Sequence, residues 1–230
     1  MKNFKQCMLN KKRGTTQKSD VYYEAYTNMF STFNCNDKLK ILEIGVRGGG
    51  GLYSLKEYFP NSTIVGLDID PECKQWESIE DDIHVRIGDQ SDNIMLQNLI
   101  DEFGLFDIII DDGSHICAHQ IISFEYLFLK LNYNGLYIVE DLHTSYWKGF
   151  HDNIELSSIE YFKELSIIPT SRWARSVDRS NVPPLPILTK QESCVDSVYF
   201  YDSICFIRKI KSDIDLNSLI SNYKQYFIIQ

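Results

Sequence analysis

Two acidic pairs, each closing a short apolar run, limit this chain to a small set of folds. Asp111-Asp112 follows Phe106-Asp107-Ile108-Ile109-Ile110, and Glu140-Asp141 follows Gly135-Leu136-Tyr137-Ile138-Val139. Each run is rich in β-branched or aromatic residues and is preceded by a turn signal, so each reads as a buried parallel strand. The stretch between them, about 116–131, reads as a helix, and strand–helix–strand is the βαβ unit. Its crossover brings the carboxyl ends of both strands to one edge of the sheet, where open α/β sheets bind ligands. Asp111, Asp112, Glu140 and Asp141 therefore crowd one rim, with His115 three residues beyond Asp112. Carboxylates at that density repel one another unless a cation sits among them, and hard divalent metals take oxygen ligands. The pattern points to a metal-assisted active site.

The remaining chain extends the alternation. Strands are expected at 40–46, 63–68 and about 83–87, and helices at about 51–59, 91–103 and 116–131, which is a doubly wound, mostly parallel sheet. A chain of 230 residues suits a single domain. Within it, 1–35 reads as an N-terminal helical arm with an amphipathic, Tyr-rich helix over about 19–33. Residues 36–144 read as the α/β core, and 145–195 as a lid or acceptor insertion with loop character. The last segment, 196–230, reads as an antiparallel hairpin (197–201 and 204–208 around Asp202-Ser203) and a helix over about 213–226.

Composition excludes several functions. The formal charge of −9 argues against a nucleic-acid partner. No apolar stretch approaches the length of a membrane span, and the polar sequence after Met1-Lys2-Asn3-Phe4 is unlike a signal peptide, so a cytoplasmic location away from membranes is expected. The six cysteines are scattered without a CxxC pair and read as reduced thiols.

The first three strand ends carry the signs of a nucleotide-like ligand. Gly45 and Gly48 open the turn after strand one, where glycine lets backbone approach a ligand closely. Glu43 precedes them, and a carboxylate there suits a cationic ligand better than a pyrophosphate. Asp68 ends strand two, placed to accept hydrogen bonds from ribose hydroxyls or to cap a turn. Gly88-Asp89-Gln90 follows strand three, facing an adenine or capping a helix at Ser91.

Taken together, Glu43-Ile44-Gly45-Val46, Gly66-Leu67-Asp68-Ile69-Asp70, Gly88-Asp89-Gln90, Asp111-Asp112-Gly113-Ser114-His115, Glu140-Asp141-Leu142-His143-Thr144-Ser145-Tyr146 and Phe200-Tyr201-Asp202-Ser203 resemble the class I S-adenosylmethionine-dependent methyltransferases of the macrocin O-methyltransferase type. That group includes metal-dependent sugar O-methyltransferases. The resemblance runs from Thr15 to Lys209 and implies a Rossmann-like sheet of seven strands, one of them antiparallel. It implies Asp112, Glu140 and Asp141 on the metal and His115 as general base. It places Glu43, Gly45, Asp68, Asp89 and Gln90 around S-adenosylmethionine, with Asp111 near the sulfonium. Thr16-Gln17-Lys18-Ser19 resembles a Thr-Asp-Lys element that closes over the cofactor, with Gln17 in place of the usual Asp and Val21 where relatives tend to have His. The large extra N-terminal domain of the macrolide enzymes has no counterpart in these residues, so a bulky macrolide acceptor is not implied.

The chemistry expected is methyl transfer to a sugar hydroxyl. A divalent cation makes the hydroxyl more acidic, and a nearby imidazole takes its proton. Magnesium is the default, and manganese or ferrous iron fits the same oxygen shell. Other readings stand beside these roles. His115 and His119 form a zinc-like pair, or His119 is structural. His143 touches substrate or is a loop residue; Tyr146 and Trp147 are a stacking wall or buried anchors. Arg172, Arg175 and Arg179 grip a diphosphate or form a solvated face. The arginines lead to a nucleotide-linked sugar as the expected substrate, for a surface polysaccharide or natural-product glycan, and a homo-oligomer is expected. Two other functions are carried alongside: a nicotinamide-dependent oxidoreductase, and a non-catalytic S-adenosylmethionine-binding module.

Overall fold

A computed structural model describes residues 3–10, 14–15, 18–151, 154–170 and 194–210. Its elements are α1 (Phe4–Leu9), α2 (Asp20–Phe30), β1 (Lys40–Ile44), α3 (Gly50–Tyr58), β2 (Thr63–Asp68), β3 (Ile83–Ile87), α4 (Asn93–Phe103), β4 (Phe106–Asp111), α5 (Cys117–Leu127), β5 (Leu131–Val139), α6 (Ser158–Leu165), β6 (Val195–Tyr201) and β7 (Ile204–Lys209). The strands form one seven-stranded sheet in the order β3-β2-β1-β4-β5-β7-β6. β7 runs antiparallel to both neighbours and the other pairs are parallel. This is the doubly wound sheet with a C-terminal hairpin expected above. The order reverses at β1, so a crevice opens at the carboxyl ends of β1 and β4, where such sheets bind ligands.

The pleat sorts the core into two layers, because successive side chains along a strand point to opposite faces. On one face Ile41, Ile64, Ile108 and Ile138 pack with Tyr26, Phe30 and Phe59 under α1, α2 and α3. On the other, Leu42, Val65, Ile109 and Tyr137 pack with Leu96, Phe124 and Phe162 under α4, α5 and α6. Burial of both faces explains why the central strands read as continuous apolar runs.

Several boundaries differ from the expectation. β1 stops at Ile44, before the glycine turn. The helix after Ile116 ends at Leu127, a 3-10 turn covers Phe128–Lys130, and β5 then begins at Leu131. α2 ends at Phe30, and α1 was not anticipated because six residues carry too little periodicity. The 145–195 segment is more regular than its loop character suggested: α6 starts at a reciprocal capping box between Ser157 and Glu160. Its 171–193 part and the expected 213–226 helix lie outside the described residues. Among the described residues no helix is long and apolar enough to cross a membrane.

Candidate active site

The strand ends place the site, and the pleat decides which acids meet there. Ile108 and Ile110 of β4 face α2, and Ile109 faces α5. Asp111 therefore points to α5. It is fully buried and accepts hydrogen bonds from Ser123 Oγ (2.6 Å) and Gln90 Nε2 (3.0 and 3.1 Å). Burial pushes its carboxyl up to about 6 against the pull of those donors. Asp111 is not among the residues that line the cavity, where it was expected beside a sulfonium. It anchors Gln90 instead, whose Oε1 accepts Ser114 N–H at 2.7 Å and ties the β3 and β4 loops together.

Asp112, the next residue, returns to the α2 side. There its Oδ2 meets Lys18 Nζ at 2.7 Å, and Glu140 Oε1 meets the same nitrogen at 2.5 Å. Glu140 also accepts from the Tyr26 hydroxyl, and Asp141 Oδ1 accepts from Tyr22 at 2.7 Å. Burial acts against the Lys18 ammonium, but Asp112, Glu140 and Glu43 outweigh it and hold its pKa well above the usual value. Burial, with Asp112 adding and Lys18 opposing, pushes Glu140 up to about 7. Lys18, Tyr22 and Tyr26 are the site residues the sequence reading did not assign to these acids. Tyr22 and Tyr26, four apart on one face of α2, carry the signal in the sequence; Lys18 lies just before that helix.

Asp112, His115 and Asp141 each offer a ligand atom within 4.8 Å of the others. His115 Nε2 lies 3.5 Å from Asp141 Oδ2 and 4.0 Å from Asp112 Oδ1. His115 and Asp141 both adopt left-handed backbone, with φ of +59° and +57°. For residues other than glycine this costs on the order of 1 kcal/mol each, and such strain concentrates at functional sites. Glu140 adjoins this group through Lys18, which also holds Asp112. His119 bonds Ser114 Oγ at 3.0 Å and lines the cavity, so it belongs to the pocket wall and not to a zinc pair with His115.

A cavity of about 550 Å³ runs along the strand ends and brings together Glu43, Gly45, Asp68, Asp89, Gln90, Asp112, His115 and Asp141. Gly45 is irreplaceable in shape: its φ is +91°, and a Cβ there would lie 2.1 Å from the Asp112 carbonyl oxygen. Gly51 matters equally, since its Cβ would meet Glu43 Oε1 at 2.1 Å. Glu43 is buried, its Oε2 has no hydrogen-bond partner, and burial pushes its carboxyl up to about 8 despite Lys18. Asp89 accepts from Ser91 N–H and Oγ, both at 2.8 Å, while the cap of α4 is Asp92.

Asp68 accepts backbone N–H bonds from Val46 (2.7 Å), Arg47 and Asp70 (both 2.9 Å). Burial acts to raise its pKa, but these donors outweigh it and hold the carboxyl below its usual range. It thus shapes the glycine turn as well as lining the pocket. Asp68→Ala is expected to weaken binding of S-adenosylhomocysteine by about 1–3 kcal/mol, the range for a charge-assisted hydrogen bond. Calorimetry checks this, and unchanged affinity would leave Asp68 a loop-shaping role alone.

The acceptor-side residues fall outside this cavity. Tyr146 and Trp147 are 80% and 53% exposed, which rules out buried anchors. His143 bonds Ser203 Oγ at 2.6 Å through Nδ1 and packs edge-on to Trp147. A second cavity of about 420 Å³ adjoins Tyr146, Trp147, His151 and Glu160. Arg172, Arg175 and Arg179, with Thr16 and Gln17, lie outside the described residues.

Comparison with known proteins agrees with this fold. No family model matches the chain. It is 35% identical over 199 residues to an 8-demethyl-8-alpha-L-rhamnosyl tetracenomycin-C 2'-O-methyltransferase of Streptomyces olivaceus, covering 82% of this chain and 50% of that protein. It is 42% identical over 122 residues to demethylmacrocin O-methyltransferase of Streptomyces fradiae, covering 50% of this chain and 30% of that one. The chain thus spans half or less of the length of these relatives. Among solved structures, the MycE methyltransferase of the mycinamycin pathway, in complex with Mg, SAH and mycinamycin VI, superposes with a TM-score of 0.77 at 28% identity. That match covers 96% of this chain and 59% of MycE.

Proposed function

Because the chain is a homologue of the macrocin- and mycinamicin-type sugar O-methyltransferases and has the class I methyltransferase fold, we propose that it transfers a methyl group from S-adenosylmethionine to a sugar hydroxyl with the help of a divalent cation. One observation carries this reading. The oxygen-rich group Asp112–Asp141–His115 closes the β4–β5 side of the same cavity that Asp68 and Asp89 line on the β2–β3 side. A nicotinamide dinucleotide would place its pyrophosphate at the glycine turn, where the buried Glu43 carboxyl offers it no positive charge.

The residues fit both groups. Glu43 Oε2, buried and unpartnered beside the glycine turn, suits the cationic amine of the cofactor's methionine portion. Asp112, Asp141 and Glu140 supply the hard oxygen donors that magnesium or manganese prefers. When bound, the cation would make a coordinated sugar hydroxyl more acidic, and S-adenosylmethionine would supply the methyl group. The chain's own residues do the rest. Asp68 and Asp89 hold the adenosyl portion, and Asp112 and Asp141 fix the cation at the far end. His115 turns Nε2 toward that point and takes the hydroxyl proton. The left-handed backbone at His115, secured by the Thr144 Oγ1 bond to its carbonyl at 2.9 Å, fixes the direction from which the imidazole approaches.

The tetracenomycin relative is named for a rhamnosyl group already joined to tetracenomycin C, and exposed Tyr146 and Trp147 provide a stacking wall for a sugar ring. The finer reading, a nucleotide-linked sugar for polysaccharide or natural-product glycan, rests on Arg172, Arg175 and Arg179 in the sequence. Transfer of labelled methyl from S-adenosylmethionine to an alkyl rhamnoside and to nucleotide-linked rhamnose tests both. Methylation of either supports the function, and the preferred acceptor identifies the carrier. Raised KM for the nucleotide sugar in at least one single arginine-to-Ala variant would support the diphosphate reading. Binding of S-adenosylhomocysteine with no transfer to any sugar would point to a non-catalytic module. Light scattering checks the expected homo-oligomer.

A further inference from the structure

The three acids at the β4 and β5 ends share one arrangement: each gives one oxygen to the arm and α2. Asp112 Oδ2 and Glu140 Oε1 take the Lys18 ammonium, at 2.7 and 2.5 Å. Glu140 Oε1 also takes the Tyr26 hydroxyl, and Asp141 Oδ1 takes the Tyr22 hydroxyl at 2.7 Å. The backbone N–H of Asp141 donates to the Tyr22 oxygen at 3.2 Å, which directs the phenolic proton to the carboxylate. The second oxygens of Asp112 and Asp141 face the His115 ring.

We propose that Lys18, Tyr22 and Tyr26 are the outer shell of the cation site, together holding one oxygen of each carboxylate so that the other is presented to the metal. The inference rests on the divalent-cation reading above. Three observations support it. Tyr22 and Tyr26 lie one turn apart on α2 and so face one direction, and Lys18, just before the helix, reaches the same acids. All three side chains are buried, where a lone phenol or ammonium is costly without a partner. The charges also match: three carboxylates at −1 and one ammonium at +1 sum to −2, which a divalent cation cancels. Outer partners of this kind orient metal ligands, and their loss typically weakens metal affinity by ten- to a hundredfold. Lys18, Tyr22 and Tyr26 are positioning residues, since none of them reacts. Through Thr15, whose backbone pairs with the glycine turn (N–H to Gly48 O, 2.9 Å), the same arm reaches the cofactor half of the cavity.

Manganese(II) binding, read by the electron paramagnetic resonance of the free ion, tests this without any turnover. Tyr22→Phe and Tyr26→Phe keep shape and charge and remove one donor each. Their manganese dissociation constants are expected to rise by roughly ten- to a hundredfold. Tyr126→Phe removes a hydroxyl on α5 that bonds Gln97 on the other face of the sheet, and should bind manganese as wild type does. Thermal unfolding of the metal-free proteins is measured in parallel. A lower melting temperature with an unchanged manganese constant is the result of a merely structural role and overturns the proposal. If Tyr26→Phe does not fold, Tyr22→Phe decides alone. Wild-type protein that binds no manganese would instead overturn the cation site itself, and the outer shell with it.

Discussion

Exhaustive removal of divalent cations is expected to reduce methyl transfer by this chain to background, and added magnesium or manganese is expected to restore it. The reason is a mismatch of acidities. An alcohol is a far weaker acid than an imidazolium, so proton transfer to an imidazole is uphill, and each pKa unit of mismatch costs about 1.4 kcal/mol. Coordination narrows that gap. Nothing else in the described site supplies equivalent positive charge to a hydroxyl, because the Lys18 ammonium is spent on Asp112 and Glu140. Asp112→Asn and Asp141→Asn should move activity in the same direction and raise the concentration of metal needed for half activity. Full turnover in excess chelator, after metal has been stripped to trace level, would remove the cation from the mechanism and leave the acids a purely structural role.

The sheet was legible in the sequence because its central strands are buried on both faces and read as unbroken apolar runs between turn residues. β5 shows where legibility ends. Its first half carries Asn132, Asn134 and Gly135, which signal a turn, and Asn134 is left-handed (φ +64°), yet tertiary bonds keep the segment in the sheet: Asn132 Nδ2 to Asp107 Oδ1 at 2.7 Å, and Asn134 N–H to the Ile210 carbonyl at 2.8 Å. Partners that distant in sequence override local propensity.

The site was legible as a set of strand-end acids and illegible as a set of directions. Asp111 and Asp112 look like one pair, but a period of two sends neighbours to opposite faces, so Asp111 braces Gln90 while Asp112 faces Lys18. That rule was available from the sequence alone. The outer shell was not: Lys18 and Glu140 are 122 residues apart, and Tyr22 and Asp141 are 119 apart. A ladder of residues every four positions announces a face, but only the packed fold says what the face meets.

Replacing His115 by Ala is expected to lower turnover by roughly a hundredfold or more, within the usual range for loss of a general base, while affinity for S-adenosylhomocysteine stays near wild type. The geometry allows two roles for this imidazole, and the same variant separates them. Nε2 sits 3.5 Å from Asp141 Oδ2 and belongs to the group of three that could hold a metal ion. A ligand role would make His115→Ala lose manganese affinity along with turnover, and high metal would recover rate. A base role leaves manganese affinity nearly unchanged and the rate low at saturating metal. The structure favours the base. Two carboxylates already present oxygens at that point, hard cations prefer oxygen to imidazole nitrogen, and His115 Nδ1 is buried without the hydrogen-bond partner that metal-ligating histidines almost always have. Near-normal turnover in the variant would refute both roles and leave His115 as the residue that shapes the turn before α5.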